Sequence, residues 1–549
     1  MSAELLATAR LPAGQSSGIP GSWTPGEQAP AFEARQVADL LAEFPGEPLY
    51  VVATPARQRP GIAVGGTFTG DAGEYRVLAV LAAMRPEQLG DPAFCAAHNT
   101  SYPYIAGEMA NGIATAEMVA AMARADMLGF FGAAGLSVDR VGREIARIAD
   151  LIRGRTNWGV NLIHSPAEPR TEQAMAELLL ARRVPAVSMS AFMGLTPPIV
   201  HVAASGLTQD AQGRVRRATR ILAKVSRPEV AAAFLAPPPG AILRDLVGQG
   251  RLTGDEALLA ARIPVAEDVT VEADSGGHTD NRPLVVLLPE MLALATAAAR
   301  EHGYDRPARI GAAGGLGTPA AVAAAFSLGA GYVLTGSVNQ AAAESGLSRD
   351  GKRMLAEAGT ADVAMAPAAD MFELGVRLQV LRRGSMFAFR AERLYQLYAT
   401  HASWTEVPAR TRSKVEREIL RMPFEAAWHE TRGFWLERAP EQAARADIDE
   451  KHRMALVFRW YLGMSSRWAI QGATERRADY QIWCGPAMGA FNRWVAGGFL
   501  ADPAERTVVQ IARNLLEGAA AVTRAHQVRG HGVPVPAAAF TFTPRPWEQ

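Results

Sequence analysis

The segment Arg309–Val338, RIGAAGGLGTPAAVAAAFSLGAGYVLTGSV, decides the fold prediction for this chain. It contains two short apolar runs, Ile310–Ala313 and Tyr332–Leu334, and between them the stretch Ala320–Leu328, whose composition is typical of a helix. A strand, a tight turn, a helix and a second strand form one βαβ unit. Because strands joined through a helix run in the same direction, the segment predicts a parallel sheet.

Both apolar runs end in small residues, Gly314-Gly315 after the first and Gly336-Ser337 after the second. Glycine lets backbone N–H groups approach a ligand closely, and the N-terminus of a following helix carries partial positive charge. A phosphate group is the natural ligand of such turns. Two successive strands that end in this way are typical of the phosphate site after strands seven and eight of a TIM barrel.

Three other interpretations of the segment compete with this one. It is uncharged between Arg309 and Glu344, as a membrane span would be, but Pro319 and the break at Gly329 interrupt any continuous apolar helix. The pattern G-x-G-x-x-A at 315–320 matches a dinucleotide fingerprint, yet the acidic residue expected about 20 residues later is absent. The interpretation in which the glycines only permit close backbone packing stays open.

From residue 102 onwards, short apolar runs alternate with segments long enough to hold a helix. The eight runs are Tyr104–Met109, Leu128–Gly132, Trp158–Ile163, Ala186–Ala191, Ile221–Val225, Val269–Ala273, Ile310–Ala313 and Tyr332–Thr335. Eight βα units over about 235 residues match the size of a TIM barrel. The predicted fold class is therefore α/β, a (β/α)8 TIM barrel, with a doubly wound sheet as the alternative.

Four regions are expected along the 549 residues. They are a flexible tail over 1–30, a small N-terminal α/β accessory segment over 31–100, the barrel over 101–345, and a helical C-terminal region over 346–549 packed on the barrel. The accessory segment is predicted to hold a helix at Phe32–Phe44, a strand at Pro48–Ala53 and a helix at Gly73–Met84. Helical segments expected in the C-terminal region include Ala368–Arg382, Ala391–Thr400 and Arg412–Leu420.

The composition of the chain bears on its partners, its location and its capacity to bind metal. The 56 Lys and Arg balance the 55 Asp and Glu, which argues against nucleic acid or an anionic membrane as the main partner. Cys95 and Cys484 provide no disulfide framework and are expected to be packing thiols, and the absence of a signal-peptide pattern favours a cytoplasmic location. Cys95 and His98 form only a C-x-x-H fragment, so no metal site is predicted.

Residues just past the carboxyl end of each barrel strand face the active site of a TIM barrel. Besides the two glycine turns, the candidates there are Met109, Ala110, Asn111, Gly112, Asn161, His164, Lys224, Asp274, Ser275, Gly276, Gly277 and His278. One lysine, two histidines, amides and glycines suit the binding of a phosphate-bearing cofactor better than unaided hydrolysis.

Several of these runs resemble a known superfamily. AGEMANGIA (106–114), GVNL (159–162), AKV (223–225), DSGGH (274–278), AAGGLGTP (312–319) and LGAGYVLTGS (328–337) resemble the flavin-dependent nitronate monooxygenases and enoyl reductases, which are TIM barrels that bind FMN. EADSGGHTDNRP (272–283), MAPAADMFELGVRLQVLRRGSMFAFRA (365–391), ALVFRWYLGMSSRWA (455–469) and DYQIWCGPAMGAFN (479–492) resemble its PfaD-type branch. Proteins of that branch are trans-acting enoyl reductases of polyunsaturated fatty acid and polyketide synthases.

The resemblance implies a set of cofactor-binding residues. Gly314, Gly315, Gly336 and Ser337 would hold the FMN phosphate, in agreement with the prediction from the glycine turns. Met109, Asn161 and Lys224 would line the isoalloxazine ring, with Ala110, Gly276, Gly277 and Asp274 as further cofactor-binding positions.

Two residues are implied to be catalytic. Lys224 would stabilise the reduced flavin, since a lysine at the end of a buried strand needs a charge partner; structural pairing with Glu272 is the alternative. His278 would donate a proton to the substrate, and Asp274 would orient it or contact the flavin. His164 is expected only to satisfy local hydrogen bonds.

The leading hypothesis is an FMN enzyme that takes hydride from NADPH and reduces an enoyl group on an acyl carrier protein. The alternatives are a nitronate monooxygenase and a non-catalytic docking component of a synthase; a homodimer stays open in each case. Four arginines, Arg377, Arg382, Arg383 and Arg390, are predicted to form a basic rim that attracts the acidic carrier protein. The equal alternative is that they are solvated or paired with local Glu residues.

Overall fold

The computed structural model of the chain describes residues 21–54, 59–70, 73–166 and 168–547. The chain forms two compact units. The first consists of the chain up to Gln88 together with Leu515–Thr543, and the second of Leu89–Asn514 with the residues from Pro544 onwards. Residues 1–20 of the predicted flexible tail lie outside the described residues.

Strands and helices alternate through most of the chain. The first unit begins with β1 Ser22–Thr24, α1 Ala34–Glu43, β2 Leu49–Ala53, β3 Gly61–Val64, β4 Thr67–Thr69 and β5 Tyr75–Leu81. The barrel segment continues with α2 Pro92–His98, β6 Tyr104–Ala106, α3 Ala116–Arg124, β7 Leu128–Phe131, α4 Val138–Leu151, β8 Trp158–Ile163, α5 Pro169–Ala181, β9 Ala186–Ser190, α6 Pro197–Ala204, β10 Thr208–Gln209, β11 Val215–Arg216, β12 Arg220–Val225, α7 Pro228–Leu235, α8 Gly240–Gly248, α9 Gly254–Ala260, β13 Asp268–Glu272, β14 Gly277–His278, α10 Leu284–His302, β15 Arg309–Ala313, α11 Pro319–Ser327, β16 Val333–Thr335 and α12 Ser337–Gln340.

The remaining elements are mostly helices. They are α13 Arg349–Ala356, β17 Val363–Pro367, β18 Arg377–Leu381, α14 Phe387–Thr400, α15 Ala409–Val415, α16 Phe424–Arg438, α17 Pro440–Ala446, α18 Glu450–Gln471, α19 Ala487–Val495 and α20 Val508–Gly530. Short 3₁₀ helices lie at Pro86–Gln88, Phe372–Leu374, Thr474–Asp479, Phe499–Ala501, Pro503–Glu505 and Ala537–Phe540, and a π-helical segment lies at Glu416–Leu420.

The first unit is built on an antiparallel sheet with the strand order β3-β2-β5-β1-β4. The prediction of a helix at Gly73–Met84 is wrong, because β5 pairs with β2 along this segment. Inward and outward side chains alternate there, but two of the outward residues, Leu78 and Val80, are apolar and conceal the period of two. The tail prediction also fails at β1, where Trp23 is fully buried.

The C-terminal part of α20 belongs to this first unit. Ala525 and Val528 pack in one apolar cluster with residues of α1 and β2. The buried guanidinium of Arg524 donates to the carbonyl oxygens of Glu47, at 2.5 Å, and Ala82. Burial lowers the pKa of Arg524 to about 10. Leu515–Thr543, predicted as part of the region packed on the barrel, thus forms one unit with the N-terminal sheet instead.

The second unit contains the predicted TIM barrel, which the structure confirms. All eight predicted runs are strands, and they close in the order β12-β13-β15-β16-β6-β7-β8-β9 with every pair parallel. The helix α2, assigned by sequence to the accessory segment, lies in this unit because Phe94 stacks on Tyr332 of the barrel at 4.3 Å between ring centroids.

Two properties of the described residues concern membranes and cysteines. No single described helix has the length and apolar composition to cross a membrane; only the pair α7 and α8, bent by 55°, meets those criteria together. Cys95 and Cys484 are free thiols, and burial raises the pKa of Cys484 to about 12, so it stays protonated.

A short sheet joins the barrel to the C-terminal region within the second unit. Strand β18 pairs with β17 and also with β14, which follows barrel strand β13. The prediction of a helix at Ala368–Arg382 is therefore wrong, because β18 supplies the pairing partner of both strands. The helices α14 to α18 follow. The residues that flank them on either side are in contact, because Met386 N donates a hydrogen bond to Ala478 O at 2.8 Å.

The amino-terminal ends of the barrel strands are held by a buried ionic network. Asp268, the first residue of β13, accepts two hydrogen bonds from Arg309 at 2.6 and 2.7 Å, and lies 2.9 Å from His98 Nε2. Burial alone would raise the pKa of Asp268, but its contacts with His98 and Arg309 outweigh burial and lower it to about 2. The network lies at the end of the barrel opposite the strand ends that carry active sites, where such residues serve stability.

We expect Asp268→Asn to lower the free energy of unfolding by about 3–5 kcal/mol, because the buried Arg309 loses its counter-charge. Asp150→Asn, which removes an exposed pair with Arg153 at 3.8 Å, is the control and should cost less than about 1 kcal/mol. Denaturant unfolding followed by circular dichroism measures both. The depressed pKa means that the stabilisation is complete above about pH 4 and is lost as the pH falls towards 2; equal losses in the two variants would contradict the assignment.

Candidate active site at the mouth of the barrel

A cavity of about 1010 Å³ opens at the carboxyl ends of the barrel strands. This volume lies at the upper end of the roughly 300–1,000 Å³ typical of small-molecule sites. The predicted site residues that line it are Met109, Ala110, Asn161, Lys224, Gly276, Gly277, His278, Gly314, Gly315, Gly336 and Ser337. Helices α16 and α18 of the C-terminal region form its outer wall.

Lys224 ends barrel strand β12 between two carboxylates. Its Nζ lies 3.2 Å from Glu272 Oε1 and 3.5 Å from Glu108 Oε1. Burial disfavours the ammonium group, but the two carboxylates outweigh that cost and raise the pKa of Lys224. The lysine is thus charged at neutral pH, and it makes the ion pair with Glu272 that the alternative interpretation of this residue predicted.

Glu108 is a site residue that the sequence analysis missed. Its Oε1 accepts a hydrogen bond from Ser188 Oγ at 3.0 Å, whereas its Oε2 is buried and has no hydrogen-bond partner among the described residues. An unpaired buried carboxylate oxygen is costly, so a ligand that donates a hydrogen bond here would be favoured. The need of the buried Lys224 for a counter-charge was the signal in the sequence that points to Glu108.

His278 pairs with a carboxylate that lies far away in the sequence. Its Nε2 lies 3.1 Å from Asp370 Oδ1, in the loop after β17. Burial opposes protonation of the imidazole, but Asp370 outweighs it and raises the pKa of His278, while His278 lowers the pKa of Asp370. The pair is therefore suited to keep a proton available in the cavity near neutral pH.

Asp274 does not orient His278. Its Oδ1 accepts hydrogen bonds from Asn281 Nδ2 at 2.9 Å and Gln379 Nε2 at 2.7 Å, and it does not line the cavity. The donors belong to the loop after β13 and to β18, so Asp274 links that loop to β18. The prediction that Asp274 orients the histidine is corrected by the contact with Asp370.

The glycines of the strand ends divide into two classes. A Cβ added to Gly315 or Gly336 would meet nothing within 4 Å, so these residues border open space in the cavity. A Cβ on Gly314 would lie 2.8 Å from Ala273 C, and one on Gly276 would lie 2.8 Å from Cys484 N. The phosphate interpretation therefore suits the first pair, and the close-packing interpretation suits the second.

Asn161 lies within β8 and His164 directly follows that strand, and the two make different contacts. Asn161 Oδ1 accepts hydrogen bonds from the backbone N–H groups of Ala133, at 2.7 Å, and Ala134, at 3.3 Å. His164 Nδ1 lies 3.0 Å from the buried Glu172 Oε2. The amide NH₂ of Asn161 is the part left for a ligand, while His164 makes the local contact expected of it.

The four arginines predicted to form a basic rim do not line the cavity. Arg377 pairs with Glu392 at 2.7 Å and Arg383 with Asp362 at 3.5 Å. Arg390 pairs with the buried Asp479. The alternative prediction, pairing with a local Glu, holds for Arg377, whereas Arg383 and Arg390 pair with aspartates, Arg390 with one 89 positions away.

We expect Asp370→Asn to lower the pKa of His278, because the neutral amide no longer stabilises the imidazolium. Histidine ring resonances recorded by NMR across a pH titration measure it. The resonances of His164, which contacts Glu172 and not Asp370, serve as the internal control. An unchanged pKa of His278 would show that Asp370 does not control its protonation.

Two family profiles match the chain, one over the barrel and the segment after it, the other over helices of the C-terminal region. Residues 92–394, more than half of the chain, match the family profile described as nitronate monooxygenase. Residues 401–480 match the profile described as acyl-carrier-protein S-malonyltransferase, inserted helical domain. The second match covers α15 to α18, the helices that include the outer wall of the cavity.

Relatives of the chain include a synthase subunit and a polyketide biosynthesis protein. The chain is 44% identical over 450 residues to a subunit of the polyunsaturated fatty acid synthase of Thraustochytrium sp., covering 80% of this chain and 30% of that protein. It is 41% identical over 437 residues to the polyketide biosynthesis protein PksE of Bacillus subtilis, covering 80% of this chain and 57% of that protein. The chain thus spans less than two thirds of these curated relatives.

A solved structure covers the same region. The crystal structure of the enoyl reductase domain of MlnA, from the macrolactin biosynthesis cluster of Bacillus amyloliquefaciens, is 36% identical with a TM-score of 0.77, covering 80% of this chain and 99% of that one. The barrel, the family profile and these relatives agree with the resemblance seen in the sequence motifs. The chain belongs to the nitronate monooxygenase family, in its PfaD-type enoyl reductase branch.

Proposed function

We propose that the chain is an FMN-dependent enoyl reductase that uses NADPH to reduce an enoyl thioester carried on an acyl carrier protein. The observation that carries the proposal is the placement of a protonatable His278–Asp370 pair and the Lys224 cluster in one cavity with two open glycine turns. The family to which the chain belongs, and the synthase relatives, support the substrate class.

The residues present fit FMN. Gly315 and Gly336 border open space, as backbone that contacts a phosphate must, and the cavity has room for a ring system beside them. Glu108, with its unpartnered Oε2, and the charged Lys224 offer an acceptor and a donor to the polar edge of a flavin ring. When bound, FMN supplies hydride transfer between the nicotinamide and the substrate.

His278 is proposed to donate the proton that completes the reduction. Addition of hydride to the β-carbon of an enoyl thioester places charge on the α-carbon and the carbonyl oxygen, and a proton at the α-carbon gives the saturated thioester. Asp370 keeps His278 protonated until that point. Lys224 is proposed to compensate charge on the reduced cofactor while it holds Glu108 and Glu272 in place.

The second candidate function is nitronate monooxygenase activity, which the match of residues 92–394 favours. The two are separated by one anaerobic experiment on purified protein loaded with FMN. NADPH should bleach the visible absorbance, and a crotonyl thioester should restore it. Bleaching that only oxygen and a nitroalkane anion can reverse would favour the second candidate.

We expect purified protein to be yellow and to release FMN rather than FAD on denaturation. Gly336→Glu should abolish FMN binding, because its side chain enters the phosphate cradle with like charge. Gly336→Ala is the matched control and should retain binding, since a Cβ there meets nothing within 4 Å. The visible absorbance of the bound flavin and a fluorescence titration measure both; a Gly336→Glu variant that binds FMN normally would contradict the cradle.

We expect His278→Ala to leave bleaching by NADPH nearly intact and to slow recovery with the enoyl thioester by about 10²–10⁴-fold, the usual cost of losing a positioned proton donor. Stopped-flow absorbance measures the two half-reactions separately. His164→Ala tests whether loss of any cavity histidine has this effect. A variant lacking His278 that recovers at the wild-type rate would exclude it as the proton donor.

A further inference from the structure

The cations along the cavity wall fall into two groups. Five make ion pairs: Lys224 with Glu272 and Glu108, His164 with Glu172, His278 with Asp370, Arg438 with Glu168, and Arg459 with Glu373. Arg140 and Arg467 also line the cavity, and no carboxylate among the described residues pairs with either of them. Both side chains are exposed.

The two unpaired arginines lie on the same part of the rim. Arg140, on α4, has its Nη2 3.4 Å from the position of a Cβ on Gly112. The preceding residue, Asn111, donates from Nδ2 to Ser466 Oγ at 3.0 Å, and Arg467 follows Ser466 on α18. A barrel helix and the outer wall of the cavity thus each contribute one guanidinium beside the contact of Asn111 with Ser466, and neither forms an ion pair with another described residue.

The distribution of charges in the cavity indicates which kind of ligand group the two arginines would bind. Deeper in the cavity, Lys224 and His278 are already paired with Glu108, Glu272 and Asp370, so a phosphoester of a second ligand, besides the cofactor, would meet no unpaired cation of the described residues there. A guanidinium presents planar, paired N–H donors that match phosphate oxygens. Two such groups without partners therefore favour a phosphoester at the rim of the cavity.

We propose that Arg140 and Arg467 form a phosphoester-binding site, separate from the glycine turns, for a ligand whose reactive end enters the cavity. The proposal deepens the proposed function and rests on it. A phosphopantetheine thioester has this layout, with the thioester at one end of the arm and a phosphoester at the other. A nicotinamide dinucleotide also carries phosphoesters, so the experiment distinguishes the two sources.

The test compares crotonyl thioesters of pantetheine and of 4′-phosphopantetheine with the FMN-loaded full chain. Arg140→Gln/Arg467→Gln should raise KM for the phosphorylated thioester about tenfold or more, as loss of charge-assisted hydrogen bonds predicts, and leave KM for the pantetheine thioester unchanged. Arg143→Gln/Arg477→Gln removes the same charge from exposed arginines outside the cavity and should match the wild type. FMN content, measured by absorbance, should be equal in all three proteins.

The NADPH concentration dependence of flavin bleaching provides the second arm. A rise in the half-saturating NADPH concentration, with unchanged KM for both thioesters, assigns the same site to the dinucleotide. If the cavity variant matches the control on both thioesters and on NADPH, the phosphoester site is refuted. Failure of the wild type to reduce either thioester would refute the proposed function instead, and the NADPH arm then alone decides the site.

Discussion

The cavity depends on backbone segments that approach each other too closely for any side chain to lie between them. A Cβ on Gly317 would lie 2.0 Å from Ala487 O, and one on Gly485 would lie 2.9 Å from Gly276 N. These contacts press the segment around Cys484 against the loops that follow barrel strands β13 and β15. Only glycine permits this approach, so the C-terminal region can form a wall of the cavity only because glycines stand on both sides of the contact.

The close contact of these backbone segments also determines which side chains meet in the cavity. Once the C-terminal region lies on the barrel mouth, β18 pairs with β14, and Asp370 comes within hydrogen-bond distance of His278. Gln379 of the same strand holds Asp274 and with it the loop that carries the histidine. The protonation of a barrel residue is therefore controlled by a carboxylate 92 positions further along the chain.

The barrel was predictable because its signal is local and repeated. Eight apolar runs with glycine turns define eight strands without knowledge of their partners, and Lys224 and His278 follow from their places at strand ends. β5 and β18 were predicted as helices because the prediction used only local composition. These segments are strands because they pair with other segments of the chain, and local composition does not show that pairing. Asp370 was missed for the same reason, since its partner His278 lies 92 positions away. Glu108, by contrast, stands beside Met109 in a motif that the sequence analysis quoted.

The hydrogen bond from Met386 N to Ala478 O has a consequence for how such proteins diversify. Since the chain leaves and returns at one point, the helices between these residues are connected to the barrel like a domain inserted into a loop. Replacing that cassette by another of the same connectivity would exchange the outer wall of the cavity, Arg467 included, while Lys224 and His278 keep their positions. The barrel end of the cavity and its outer wall can therefore change independently of each other during evolution.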